Sequence, residues 1–285
     1  MIFPTPNLSD ATIGIQFKLI VWTTAIFISS NAFCSDAAPK LADVSADQER
    51  PTLKAKLIDY EIIREVPHST NFFTQGLVFY NGELFESTGH YGRSKIIRYD
   101  KETLAPAVEK RLANKYFGEG AAAHQGVIYQ LTWRAGTALA YDPKLFAERE
   151  GFSYEGEGWG LTSDTENLWM SDGSNQLRQI TSGGEIIAVR DITFNGRALN
   201  RLNELEWING KIFSNRWHDN RIYVVDPESG ETSHYIDLTN IARPHLRKNR
   251  EHVLNGVAWN PTTETLWVTG KNWPLLYELK LQNFD

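Results

Sequence analysis

The chain has 285 residues, 41% of them hydrophobic and 22% charged, an ordinary globular composition with material for a substantial core. A formal net charge of -6 argues against the basic stripe that a nucleic-acid surface needs. Cys34 is the only cysteine, which excludes an intrachain disulfide.

The first 32 residues read as an export segment. Lys18 precedes the apolar runs Leu19-Ile20-Val21-Trp22 and Ala25-Ile26-Phe27-Ile28, and Ser30-Asn31-Ala32 supplies small residues for cleavage. The apolar stretch is short for a membrane span and broken by threonines, so a cleaved signal is favoured over an uncleaved anchor. Phe33 stands where lipid attachment at Cys34 would require a small residue. A polar leader is expected over residues 33–52 and one domain over 53–285. The mature protein is expected to be periplasmic or secreted and monomeric. Membrane contact is expected only through the export segment; if that segment stays uncleaved, it is a tether.

Leu57 to Val66 then reads as a strand with no repeat of its own. After it comes a unit that recurs five times. In the first copy Gly76 to Tyr80 is a strand, Asn81-Gly82 a tight hairpin turn, Leu84 to Ser87 a second strand and Lys95 to Tyr99 a third. Each copy carries an aliphatic–aromatic pair: Leu84-Phe85, Ile128-Tyr129, Leu168-Trp169, Ile212-Phe213 and Leu266-Trp267. The aromatics are spaced 44, 40, 44 and 54 residues apart, the period of a four-stranded propeller blade. The long last interval holds Ile241 to His252, expected as a helical excursion whose Arg243, Arg247, Lys248 and Arg250 form a solvated face. The chain ends after three strands of the fifth copy. The expected fold is therefore an all-β, five-bladed β-propeller closed by the N-terminal strand joining the last blade.

Two positions in the repeat vary in chemistry while keeping their place. Ten residues before the aromatic stand Gln75, Glu119, Trp159 and Asn203; the fifth copy offers Asn255 at twelve. Four residues after it stand Gly89, Trp133, Gly173, Trp217 and Lys271. The first series begins the inner strand and the second ends its antiparallel neighbour, so both should converge at one mouth of the propeller. Phe73 and Phe117, two residues upstream of the first series, point the same way. Register alone thus predicts a pocket with aromatic walls, one carboxylate, one ammonium and two or three amides. Glu86 and Glu204 fall near it, as candidates for holding backbone rather than substrate. The histidines show no paired metal-ligand spacing, and no Gly-rich phosphate loop is present, so neither a metal nor another cofactor is expected.

The segments Phe73-Thr74-Gln75-Gly76-Leu77, Glu86-Ser87-Thr88-Gly89-His90-Tyr91-Gly92, Phe117-Gly118-Glu119-Gly120, Leu131-Thr132-Trp133, Gly158-Trp159-Gly160-Leu161-Thr162, Leu202-Asn203-Glu204-Leu205-Glu206 and Val268-Thr269-Gly270-Lys271 resemble the plant- and bacterial-type glutaminyl cyclases. The resemblance runs from about residue 57 to 281 and implies a five-bladed propeller. It implies conversion of N-terminal glutaminyl residues of peptides or proteins to pyroglutamyl, with release of ammonia. It also implies Glu119 as proton shuttle, Lys271 and Asn203 as oxyanion stabilisers and Gln75 as a substrate-orienting residue. Phe73, Phe117, Trp133, Trp159 and Trp217 would enclose the glutamine side chain. Without the resemblance, Glu119 and Lys271 have ordinary readings as solvated ends of strands, and the tryptophans as blade packing. Trp169, Trp207, Trp259 and Trp267 are expected to be packing in either case. A non-catalytic propeller that binds a peptide N-terminus or small ligand is the alternative function. A lactone-hydrolysing propeller would need a metal cluster that this mouth lacks.

Overall fold

Five antiparallel four-stranded blades surround an axis in the computed structural model, which describes residues 54–246 and 249–284. The export segment and the leader lie outside the described residues. From the axis outward, the first blade contains Thr74–Tyr80, Glu83–Thr88, Lys95–Tyr99 and Pro106–Arg111, and the second Gly118–His124, Val127–Thr132, Thr137–Tyr141 and Glu148–Ser153. The third contains Leu161–Ser163, Leu168–Ser171, Gln176–Ile180 and Ile186–Asp191. The fourth contains Leu202–Ile208, Lys211–Arg216, Arg221–Val225 and Thr232–Asp237. The fifth takes Leu254–Asn260, Thr265–Gly270 and Leu275–Leu281 from the end of the chain, and its outer strand, Tyr60–Pro67, from the beginning. Neighbouring inner strands touch all the way round, the fifth returning to the first.

The aliphatic–aromatic pair explains how the ring packs. Successive side chains on a strand face opposite sides, so each pair sends one residue into each of the two seams flanking its blade. Phe85 meets Ile128 between blades 1 and 2, Tyr129 meets Leu168 in the next seam and Trp169 meets Ile212 in the third. Phe213 meets Leu266 in the fourth, and Trp267 meets Leu84 where the ring closes. Every seam thus receives one aromatic and one aliphatic side chain, each worth about 1.5–3 kcal/mol when fully buried. The four expected packing tryptophans lie here: Trp169 and Trp267 are buried in the third and the closing seam, Trp207 packs against the third and Trp259 against the fourth. The hairpin turns Asn81-Gly82, Gln125-Gly126 and Asn209-Gly210 have positive φ at both residues, which matches the right-handed twist of the strands they join.

The N-terminal segment differs from the single strand expected over 57–66. It is divided between two blades: Lys56–Leu57 runs parallel to the outer strand of the fourth, and Tyr60–Pro67 runs antiparallel to Leu275–Leu281 of the fifth. Between them Ile58 is buried in the seam of those blades, and its N–H donates to Tyr235 O at 2.8 Å. Ile58 is thus buried where the segment crosses from one blade to the next.

The excursion expected as helical over Ile241 to His252 is helical only in its first part, Thr239–Leu246, entered through an Asp237 side chain that accepts Thr239 N–H at 2.9 Å; residues 249–252 are turn and irregular chain. It buries Ile241, Ala242 and His245. Trp273 stacks on the His245 ring and donates its indole N–H to His252 O at 2.8 Å, fastening the excursion to the fifth blade. Arg243 and Arg250 are exposed; Arg247 and Lys248 lie outside the described residues.

Candidate active site

The two variable series do meet at one mouth, and repeated backbone features bring them there. In four blades the pairing of the first two strands shifts register just where the first series stands, between Thr74 and Gly76, Gly118 and Ala121, Leu202 and Leu205, and Leu254 and Val257. Such a bulge turns a side chain out of the regular alternation, and here it aims Gln75, Glu119, Asn203 and Asn255. Leu254 pairs with Gly270 as Thr74 does with Thr88, so Asn255 is the structural equivalent of Gln75 despite its longer offset. The two extra residues fall nearer the hairpin turn. The second series is tied to the same region from the other side. Gly89, Trp133, Trp217 and Lys271 each donate a backbone N–H, at 2.8–2.9 Å, to a carbonyl just ahead of the inner strand: Phe73, Phe117, Arg201 and Val253 respectively.

Hydrogen bonds cross every seam at this level. Ser87 Oγ donates to Glu119 O, Gly120 N to Trp159 O at 2.7 Å, and Ser171 Oγ to Asn203 O at 2.7 Å. Gly256 N donates to Asn215 Oδ1 at 2.9 Å, and Asn255 Nδ2 to Thr74 O at 3.0 Å. The lining of the mouth is therefore held blade to blade, with little freedom to drift.

The resulting cavity measures about 710 Å³ and contains all nine residues expected there: Phe73, Gln75, Phe117, Glu119, Trp133, Trp159, Asn203, Trp217 and Lys271. Glu119 and Lys271 are each only 5% exposed, far from the solvated strand ends that single residues would suggest. Burial pushes the Glu119 carboxyl well above the usual carboxylate range; the nearby Glu157 charge adds to this, while Lys271 and a hydrogen bond from Gln75 oppose it. Burial lowers Lys271, and the charges of Glu119 and Glu251 pull it back up. Both groups are thereby moved toward the range where a proton can be exchanged. The Lys271 ammonium lies 4.8 Å from the centre of the Phe73 ring. Phe117 packs edge-on to Phe73 and Trp133, and the Trp159 and Trp217 rings meet at 87°. Asn203 is buried, and its Oδ1 has no hydrogen-bond partner among the described residues.

Six further residues line the cavity: His90, Arg134, Glu157, Asn249, Glu251 and Asn272. Three were legible in the repeat, because His90, Arg134 and Asn272 each follow a member of the second series. Glu157 stands two residues before Trp159, the place that Phe73 and Phe117 hold in their own blades. Its Oε2 accepts the indole N–H of Trp133 at 2.6 Å and of Trp159 at 3.0 Å, and Oε1 accepts Arg134 Nε at 2.8 Å. Partial burial disfavours the Glu157 charge, but these donors outweigh it and hold the carboxyl below its ordinary range. Asn249 and Glu251 come from the excursion between blades, which has no repeat to predict it.

Glu86 and Glu204 serve the framework. Glu86 is fully buried and accepts from Thr74 Oγ1 at 2.7 Å, from the Tyr99 hydroxyl and from the His68 ring at 3.1 Å. Glu204 accepts Leu77 N–H at 3.1 Å and Val257 N–H at 2.8 Å, tying blades 1 and 5 to blade 4. Among the described residues no group of three or more His, Cys, Asp or Glu is placed to hold a metal ion.

Fold and site together define a five-bladed propeller whose mouth holds one buried carboxyl and one buried ammonium within aromatic walls. Residues 36–281 match the family model described as glutamine cyclotransferase, and the chain belongs to that family. It is 35% identical over 237 residues to the glutaminyl-peptide cyclotransferase of Arabidopsis thaliana, spanning 81% of this chain and 73% of that relative. It also superposes on the crystal structure of Myxococcus xanthus glutaminyl cyclase with a TM-score of 0.76 and 36% identity, over 81% of this chain and 100% of that one.

Proposed function

We propose that the family's reaction is carried out at this mouth with Glu119 as the proton shuttle. The chain is a glutaminyl-peptide cyclotransferase: the free α-amine of an N-terminal glutamine attacks its own side-chain carboxamide, a five-membered lactam forms and ammonia leaves. The amine must lose a proton, and the departing NH2 must gain one. One carboxyl group between them does both in turn, and this works best when its proton affinity is close to that of its partners. The observation that carries this reading is the buried Glu119 carboxyl, raised by burial and placed near Lys271 in an aromatic-walled cavity.

Lys271, with a charge or a hydrogen atom to offer, and Asn203, through the N–H of its buried side-chain amide, are the donors for the oxygen that becomes an oxyanion as the amine attacks. Donors in that role are each worth about 3 kcal/mol. Trp133, Trp159, Trp217, Phe73 and Phe117 keep water from the reacting carboxamide and hold the glutamine side chain folded over its own amine. That folding is a large share of catalysis in a ring closure.

Purified protein incubated with a short peptide beginning in Gln should release ammonia and the cyclised peptide. Glu119→Gln should nearly abolish turnover while leaving the melting temperature close to wild type. Retained turnover would remove Glu119 from the shuttle role. The Lys18-led apolar segment supports export to the periplasm or beyond, and the single-domain architecture supports a monomer. The mature mass and the molecular weight in solution test these two points.

A further inference from the structure

We propose that Asn255 is a positioning residue, which fixes the side-chain amide of Gln75 so that its NH2 group faces Glu119. Gln75 then acts on the shuttle carboxyl instead of orienting substrate. This deepens the reading of Glu119 given above and rests on it.

The orientation follows from one acceptor that cannot change. The Thr74 carbonyl oxygen only accepts hydrogen bonds. Asn255 is fully buried and lies 3.0 Å from that oxygen, so the atom presented to it must be the amide nitrogen, Nδ2. The second hydrogen of the same NH2 group points at Gln75, 3.2 Å away, where it needs an acceptor. That requirement turns Gln75 Oε1 toward Asn255 and leaves the Gln75 NH2 to hydrogen-bond Glu119. A backbone carbonyl of blade 1 thus determines, through two amides, which face of Gln75 meets the carboxyl. Gln75 is itself only 3% exposed.

The consequence concerns the ionised form of Glu119. A donated N–H stabilises a carboxylate, whereas a carbonyl oxygen in its place would repel it and favour the protonated acid. Burial already disfavours the charge on Glu119, and the correctly turned Gln75 is one of the two groups opposing that. The fifth member of the first series therefore has a task of its own, at the seam where the last blade meets the first.

The test is the pH dependence of kcat/KM on a Gln-initiated peptide. Asn255→Ala frees Gln75 to turn and should raise the apparent pKa of the acid limb by about one unit, an approximately tenfold loss of activity below the limb. Gln75→Met removes the donor and should raise the limb similarly. In the Gln75→Met background, Asn255→Ala should produce no further rise, an outcome that a merely structural role for Asn255 would not give. An unmoved limb in Asn255→Ala, or an undiminished second rise in the double variant, overturns the proposal. If Asn255→Ala does not fold, the near-isosteric Asn255→Asp takes its place, and an unmoved limb in that variant is equally decisive. The two readings fail separately: a Glu119→Gln protein that keeps its activity refutes the shuttle and this proposal together. A dead Glu119→Gln with an unmoved Asn255 limb refutes only the positioning role.

Discussion

Gly89→Ala adds a single methyl group at the mouth and should disable the enzyme without touching a reacting group. Gly89 has no positive φ, so alanine fits its backbone, and any effect must come from the space the methyl occupies. A Cβ there would lie 2.7 Å from Phe117 Cζ, nearer still to Cε1, and 3.2 Å from Gln75 Cγ. Ordinary carbon–carbon contact is about 3.5–4.0 Å, so the Phe117 ring must retreat by roughly 1 Å. It has little room to do so, being packed against Phe73 at 6.3 Å, His90 at 5.6 Å, Tyr91 at 5.4 Å and Trp133 at 5.7 Å between ring centres. Overpacking of this kind costs about 1–3 kcal/mol in stability. A displacement of about 1 Å in a positioning group can cost on the order of 10²-fold in rate. The assay is kcat and KM on a Gln-initiated peptide together with the melting temperature, with Gly183→Ala as control. Among the described residues a Cβ at Gly183 meets only Thr181 Oγ1, at 3.6 Å, so that variant should behave as wild type. Wild-type kcat/KM and stability in Gly89→Ala would refute the idea that the glycines of the second series exist to make room for the pocket's rings.

Lys271→Ala should lower kcat by about 10²–10³-fold with a smaller change in KM, and the acid limb of kcat/KM should move up because a charge that holds Glu119 down is gone. A change confined to KM would make Lys271 a binding residue. Glu157→Gln keeps an oxygen for the two indoles but removes the charge that raises Glu119, so the acid limb should move down; an upward shift would contradict the assigned electrostatics. Glu206, buried and accepting Trp259 N–H at 2.8 Å, has its carboxyl raised from 4.5 to about 8 by burial. The folded protein keeps a proton there that the unfolded chain releases, so stability should fall as pH rises from 4.5 toward about 8. Glu206→Gln should make that fall in melting temperature shallower, and an identical slope would refute the assignment.

The period of the aliphatic–aromatic pairs was enough to count the blades, because each seam needs one large and one smaller apolar group from its two neighbours. The residues lining the mouth were legible for a related reason. Positions that do not pack the seams are free to differ, and repeat register states where they lie. Register also held the signal for Glu157 and His90, at places equivalent to Phe117 and to the residue after Trp133. Asn249 and Glu251 had no such signal, since the excursion that carries them occurs once.

The amino-acid sequence by itself determined the ring, its number of blades and the nine residues at its mouth, because hydrophobic periodicity and strand alternation are local properties. Only the tertiary structure decided the state of those residues. Burial, which depends on every blade at once, takes Glu119 from a solvated acid to a carboxyl that readily holds a proton. The division of the N-terminal segment between two blades, the clamp of Glu157 on two indoles and the turn of the Gln75 amide are likewise tertiary. Each needs at least one partner tens or hundreds of residues away, as Glu157 needs Trp133 and Asn255 needs Thr74.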